Sequence, residues 1–114
     1  MRDIDITPEC LAFIDKQEER VVNKFFQLLE VMTEVKVIST NFVKKLVNSP
    51  FYELRIRAGN EYRILLFSAD HPNFIESNRI ICLYGFKKKS TKDYDKAIRK
   101  AEKILADYLE EEEE

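Results

Sequence analysis

The spacing of apolar residues changes period along this chain, and the order of those changes constrains the fold more than any other feature. Arg2 to Ile6 alternates polar and apolar side chains and then meets Thr7-Pro8, a cap followed by proline at the first helical position. A short strand therefore enters a helix, in which Cys10, Leu11, Phe13 and Ile14 keep helical spacing to about Lys16. After Gln17-Glu18-Glu19 a longer helix is marked by Val21, Phe25, Leu28, Leu29 and Met32, which share one face. Val37 to Pro50, with turn residues near both ends, is expected to be a connection with room for one helical turn. Phe51 to Arg57 and Tyr62 to Ser68 have strand character and are separated by Ala58-Gly59-Asn60-Glu61, which makes them a hairpin. A third such run, Arg79 to Phe86, follows the polar loop Asp70-His71-Pro72-Asn73. The last helix is capped by Ser90 or Thr91 and carries an apolar stripe of Tyr94, Ala97, Ile98, Ala101, Ile104, Leu105 and Tyr108.

This order, β-α-α-β-β-β-α, predicts an α+β fold: a small antiparallel sheet with a helical hairpin and a carboxy-terminal helix packed on one face. At 114 residues, 45% of them hydrophobic, the chain suffices for one core, so residues 1–109 are read as a single domain. The acidic run 110–114 has no periodicity and is expected to be disordered. No apolar run approaches the roughly 20 residues of a membrane span, and the amino terminus lacks the apolar region of a signal peptide. A cytoplasmic protein is expected. Cys10 and Cys82 lie far apart in apolar segments with no C-x-x-C and no histidine at ligand spacing, so they are read as buried thiols. No metal or cofactor is expected, and His71 is read as a loop residue.

The formal net charge of −2 hides an asymmetry. Five of the 21 acids form the run Glu110–Glu114, so over the rest of the chain the 19 basic residues are in excess. Lys87, Lys88, Lys89, Lys92, Lys96, Arg99, Lys100 and Lys103 crowd one stretch against only Asp93, Asp95 and Glu102. Such a stretch is either a phosphate-facing patch or a solvated helix face. In the hairpin, a three-residue loop Gly59–Glu61 would pair Ile56 with Ile64 and Leu54 with Leu66, stacking one apolar face. It would set Arg57 opposite Arg63, with Arg55 on the same side. Like charges placed opposite one another weaken a sheet, so an anion is expected to face them.

The segments Phe51-Tyr52-Glu53-Leu54-Arg55-Ile56-Arg57, Glu61-Tyr62-Arg63-Ile64 and Leu83-Tyr84-Gly85-Phe86-Lys87-Lys88 resemble the RelE/ParE toxin superfamily, its phage-derived HigB-like branch most of all. The resemblance covers residues 1–109 in element order and about 44–94 in motif detail. It implies a type II toxin: a ribosome-dependent messenger-RNA endonuclease without cofactor, paired with an antitoxin, which is expected to be of helix-turn-helix type. By position, Arg63 matches the arginine that contacts the scissile phosphate, and Arg55 a basic residue of the preceding strand. Lys87 or Lys88 matches the basic residue just past the last strand, and Tyr94 a functional tyrosine. Glu53 stands where RelE has lysine, which leaves the general base open. ParE-like relatives share the fold but inhibit gyrase without nuclease chemistry, and a domain that only binds nucleic acid or a partner is a third reading.

Attack by a 2′-hydroxyl needs a base, cations for the charge of the phosphorane, and a proton donor or cation for the departing 5′-oxygen. Arg55, Arg57, Arg63 and Lys87 to Lys89 supply cations, arginine with the planar fork that suits phosphate. Tyr94 is either that donor, a stacking partner for a base, or a core aromatic. Glu53 is either the base or half of an ion pair with Arg55 or Lys45. Lys44, Lys45 and Lys92 are candidate RNA contacts, with solvated positions as the alternative. Arg63, on a polar face, is expected to contribute little to the core.

Overall fold

The computed structural model describes residues 1–113; Glu114 lies outside the described residues. Strand β1 (Asp3–Ile6) leads into helices α1 (Pro8–Asp15) and α2 (Glu19–Glu34). Strands β2 (Val43–Lys45), β3 (Tyr52–Ala58), β4 (Asn60–Ser68) and β5 (Arg79–Lys88) follow, and helix α3 (Lys92–Glu113) ends the described chain. A five-stranded sheet runs in the order β1-β5-β4-β3-β2. Neighbours are antiparallel except β1 and β5, which pair in parallel because β1 lies against a strand far from it in sequence, with no hairpin to reverse its direction. Among the described residues no helix is long and apolar enough to cross a membrane.

The helices cover both faces of the sheet rather than one. Ile64-Leu65-Leu66-Phe67 and Ile80-Ile81-Cys82-Leu83 are unbroken apolar runs, and alternation sends their side chains to both sides. Ile64, Leu66, Ile80 and Cys82 join Cys10, Ile14, Phe25 and Met32 in a core under α1 and α2. Leu65, Ile81 and Leu83 join Phe51, Phe86, Ala97 and Ala101 in a second core under α3. Thr7 caps α1 as expected: its hydroxyl accepts from the Cys10 amide at 3.1 Å and donates to the Leu83 carbonyl at 2.7 Å. Gly85 lets α1 settle onto β5, since a Cβ there would come within 2.3 Å of the Phe13 ring. Both cysteines are buried and free, and burial pushes the Cys10 thiol up to about 12.

Three further expectations are corrected. The connection 37–50 contains an edge strand, β2, in which Val43 is buried while Lys44 and Lys45 project as charges on the exposed edge. The hairpin register is displaced by two residues: Gly59, at φ +79°, turns between Ala58 and Asn60, and Leu54 pairs with Ile64, Arg55 with Arg63, and Arg57 with Glu61. A shift of two keeps the apolar face intact; it moves the like-charged pair to Arg55 and Arg63, which Glu53 neutralises, and gives Arg57 an ion pair with Glu61 at 3.4 Å. Finally, residues 110–113 continue α3 instead of being disordered, because α3 is tied down near its end. Arg79 donates to Asp5 at 3.1 Å and to Tyr108 at 2.8 Å and also pairs with Glu112.

Deleting residues 110–114 is expected to cost less than about 1 kcal/mol, the ordinary value of an exposed ion pair. Asp5 and Tyr108 still hold Arg79, and a thermal melt of the truncated chain checks this. A drop of several kcal/mol would give Glu112 a larger share in docking α3.

Candidate active site

A groove of about 500 Å³ opens between the β2–β3 edge of the sheet and the first turns of α3. Lys44 and Lys45 of β2, Glu53 and Arg55 of β3, Lys88 at the end of β5 and Tyr94 of α3 line it. Alternation explains the gathering: Glu53, Arg55, Arg63 and Lys88 point to the α3 side of the sheet, where the helix begins and leaves the sheet partly uncovered. α3 starts beside this opening because the Asp93 carboxylate accepts the Lys89 and Ser90 amides at 2.7 and 2.9 Å. The Tyr94 ring packs edge-on against Phe86 at 5.4 Å, and Lys88 Nζ lies 5.8 Å from its centroid.

Beneath the groove is a charged network. Glu53 is 2% exposed, and its Oε1 accepts from Arg55 Nε at 2.6 Å and lies 3.7 Å from Arg63 Nε. Its Oε2 is buried without a hydrogen-bond partner. Arg63 is equally buried, and each of its three guanidinium nitrogens donates a hydrogen bond. Nε donates to Tyr94 Oη at 3.0 Å, Nη1 to the Tyr62 carbonyl at 3.0 Å, and Nη2 to Glu61 Oε1 at 3.1 Å. Burial opposes the Arg63 charge, but the bonds to Tyr94 and Glu61 outweigh it and hold its pKa above the ordinary value. The bond from Arg63 is likewise the main reason that Glu61 stays ionised below the usual carboxylate range. The Tyr94 phenol is pushed up, first by burial and then by the neighbouring Glu53 carboxylate. Tyr94 Oη accepts from Arg63, so its own proton remains available to donate.

The anions that face the three arginines are therefore Glu53 and Glu61 of the chain itself. Arg63 is an interior residue, contrary to the expectation that it contributes little to the core. The expected residues also separate in space. Lys44, Lys45, Glu53, Arg55, Lys88 and Tyr94 share the groove. Arg57 is exposed at the hairpin end, paired with Glu61. Lys87 lines a different, smaller hollow with Tyr84, Phe86, Asp93 and Lys96. Lys89 and Lys92 are exposed around the start of α3. Glu61 was missed as part of the site, although it stands two residues before Arg63 on one strand and so on the same face. Among the described residues no three His, Cys, Asp or Glu side chains are grouped as a metal site.

A family model described as "Phage derived protein Gp49-like (DUF891)" matches residues 12–106. No curated protein matches the chain. Among solved structures, an arginine double mutant of the E. coli toxin RelE in the free state is 20% identical, with a TM-score of 0.62 over 86% of this chain and 95% of that one. The intact E. coli RelBE toxin-antitoxin complex gives a TM-score of 0.59 at 19% identity, over 79% of this chain and all of that one. The likeness to RelE is one of fold, whereas the family match spans most of the sequence, and the chain belongs to the phage-derived Gp49-like family.

Proposed function

We propose that this chain is the toxin of a type II toxin-antitoxin pair and that it cleaves messenger RNA at the ribosome by 2′-hydroxyl attack, without a metal. The observation that carries the reading is the groove itself, where three cations, Lys44, Arg55 and Lys88, gather over a buried carboxylate and a phenol, while Lys45 at its rim is held by the Leu46 and Ser49 carbonyls. That is the inventory an RNA phosphate needs. In this reading Arg55 and Lys88 bind the phosphate oxygens, and Lys44 holds the neighbouring backbone. Glu53 takes the 2′-hydroxyl proton as that oxygen attacks phosphorus. The P–O5′ bond breaks, Tyr94 gives its proton to the departing oxygen, and the products are a 2′,3′-cyclic phosphate and a 5′-hydroxyl. Arg63 does not touch the phosphate but positions Glu53 and Tyr94. A cognate antitoxin of helix-turn-helix type would silence the toxin by covering the groove or α3.

The test is cleavage of ribosome-bound message by the purified chain. Cleavage with cyclic-phosphate ends, unchanged by EDTA, is expected. Arg55→Ala should slow it by on the order of 100-fold, the usual effect of losing one preorganised donor. Arg55→Lys should restore little, because lysine keeps the charge without the fork. Intact message alongside DNA damage would favour the non-enzymatic, gyrase-inhibiting reading.

A further inference from the structure

Helix α3 divides the basic stretch 87–103 between two surfaces. Lys88 and Tyr94 belong to the groove, while Lys92, Lys96, Lys100 and Lys103 recur at i, i+4, i+8 and i+11 along the opposite flank of the helix. Contacts locate that flank on the side of the open edge of β5. Lys96 lines the hollow that holds Tyr84, Phe86 and Lys87, and Lys100 Nζ lies 5.4 Å from the centroid of the Tyr84 ring. Among the described residues β5 has no partner strand on this edge beyond Cys82, where the pairing with β1 ends.

All four lysines of the stripe are exposed, and among the described residues none is within ion-pair distance of a carboxylate. Asp93, next to Lys92, is engaged in capping the helix, and Asp95, next to Lys96, lines the groove instead. Like charges four residues apart weaken a helix, so Lys92, Lys96 and Lys100 in one line oppose the stability of the element that carries them. Lysines scattered around α3 would give the same solubility without that opposition. In line they place one charge per turn over about 16 Å, a spacing that follows a polyanion. Lysine binds phosphate as a point charge without selecting bases. Tyr84 adds an aromatic face beside the stripe. Among the described residues none of the large exposed apolar side chains lies on this flank, so apart from Tyr84 it offers no apolar anchor to a protein interface.

We infer that this flank is a second RNA surface, separate from the groove, that grips the phosphate backbone of a folded RNA through Lys92, Lys96, Lys100 and Lys103. The inference rests on the RNA reading proposed above, and it divides the work: the groove receives the scissile strand, and the stripe holds structured RNA nearby. The test uses Lys96→Gln/Lys100→Gln/Lys103→Gln and a fluorescent, 2′-O-methylated RNA hairpin that cannot be cleaved. Binding is measured over a range of salt concentrations. Three lost contacts should flatten the slope of log affinity against log salt by about 2 and weaken binding by on the order of 100-fold at 0.1 M salt. For ribosome-bound message, KM should rise while kcat stays at the wild-type value. An unchanged slope, or a wild-type chain that does not bind the hairpin, overturns the inference even if cleavage is intact. A variant that keeps the RNA slope but loses binding to a poly-glutamate peptide also overturns it, in favour of an acidic protein partner. A slope that falls as expected in a chain that never cleaves supports the surface and removes the nuclease reading instead.

Discussion

Arg63→Ala is expected to lower the melting temperature by at least about 10 °C, a larger loss than at any other position of the site. The side chain is 3% exposed and donates to Tyr94, to the Tyr62 carbonyl and to Glu61. Its removal leaves Glu53 with Arg55 alone, deprives the Tyr94 hydroxyl of its donor, and opens a cavity under α3. Breaking one side of a buried charge network costs about 3–5 kcal/mol. The lower end applies because Arg55 continues to neutralise Glu53, and about 3 kcal/mol in a domain of this size corresponds to a shift of roughly 10 °C or more. Arg63→Lys should fall between, since a single ammonium cannot serve three acceptors in one plane. A melt within about 2 °C of wild type would show that the guanidinium is not held in this network and would return Arg63 to the role of a free phosphate ligand. If the chain cleaves message as proposed, the rate of Arg63→Ala, assayed well below its melting point, reports on the positioning of Glu53 and Tyr94.

What could be read from the sequence was whatever local periodicity records. The helices α1, α2 and α3, the hairpin and the strand β5 all have a period, a cap or a turn residue that marks them, and each is present. β2 escaped because three residues between turns are too few to show alternation, and its pairing with β3 is a tertiary fact. The placement of α3 on the far face was in principle legible. Four consecutive apolar residues at Ile64–Phe67, and again at Ile80–Leu83, describe strands covered on both sides. The hairpin face was read correctly and its register was not, because a slip of two leaves the apolar pattern unchanged and only the Arg57–Glu61 pair distinguishes the alternatives. The same limit governed the site. Strand alternation placed Arg55, Arg57 and Arg63 on one face, but the burial of Arg63 depends on Tyr94, 31 residues away, and no pattern in the chain records that contact. The Asp5–Arg79–Tyr108 tie that holds the end of α3 is illegible for the same reason.

Tyr94 is where the structural and chemical readings separate most sharply, because one atom distinguishes them. Tyr94→Phe keeps the ring against Phe86 and near Lys88, and removes only the hydroxyl that Arg63 contacts. If Tyr94 is the proton donor, the variant should cleave about 100-fold more slowly, the lower range for losing a general acid, while stability changes by only about 1 kcal/mol. A core residue would give the reverse pattern, with cleavage near wild type. The pH profile supplies a second readout. Burial and the Glu53 carboxylate both disfavour the phenolate, so the acid stays protonated above the ordinary phenol value of about 10. Wild-type activity should therefore show no loss from this group between neutrality and pH about 10, and decline only as the phenol ionises above it. Folding stability has the same sign: neutral Tyr94 adds no pH dependence below the unfolded pKa of about 10, and stability falls above it as the unfolded chain ionises first. Tyr94→Phe should lack the alkaline decline in cleavage. A variant that cleaves slowly but keeps that decline would assign it to another group, and one that cleaves at the wild-type rate would leave Tyr94 with packing alone.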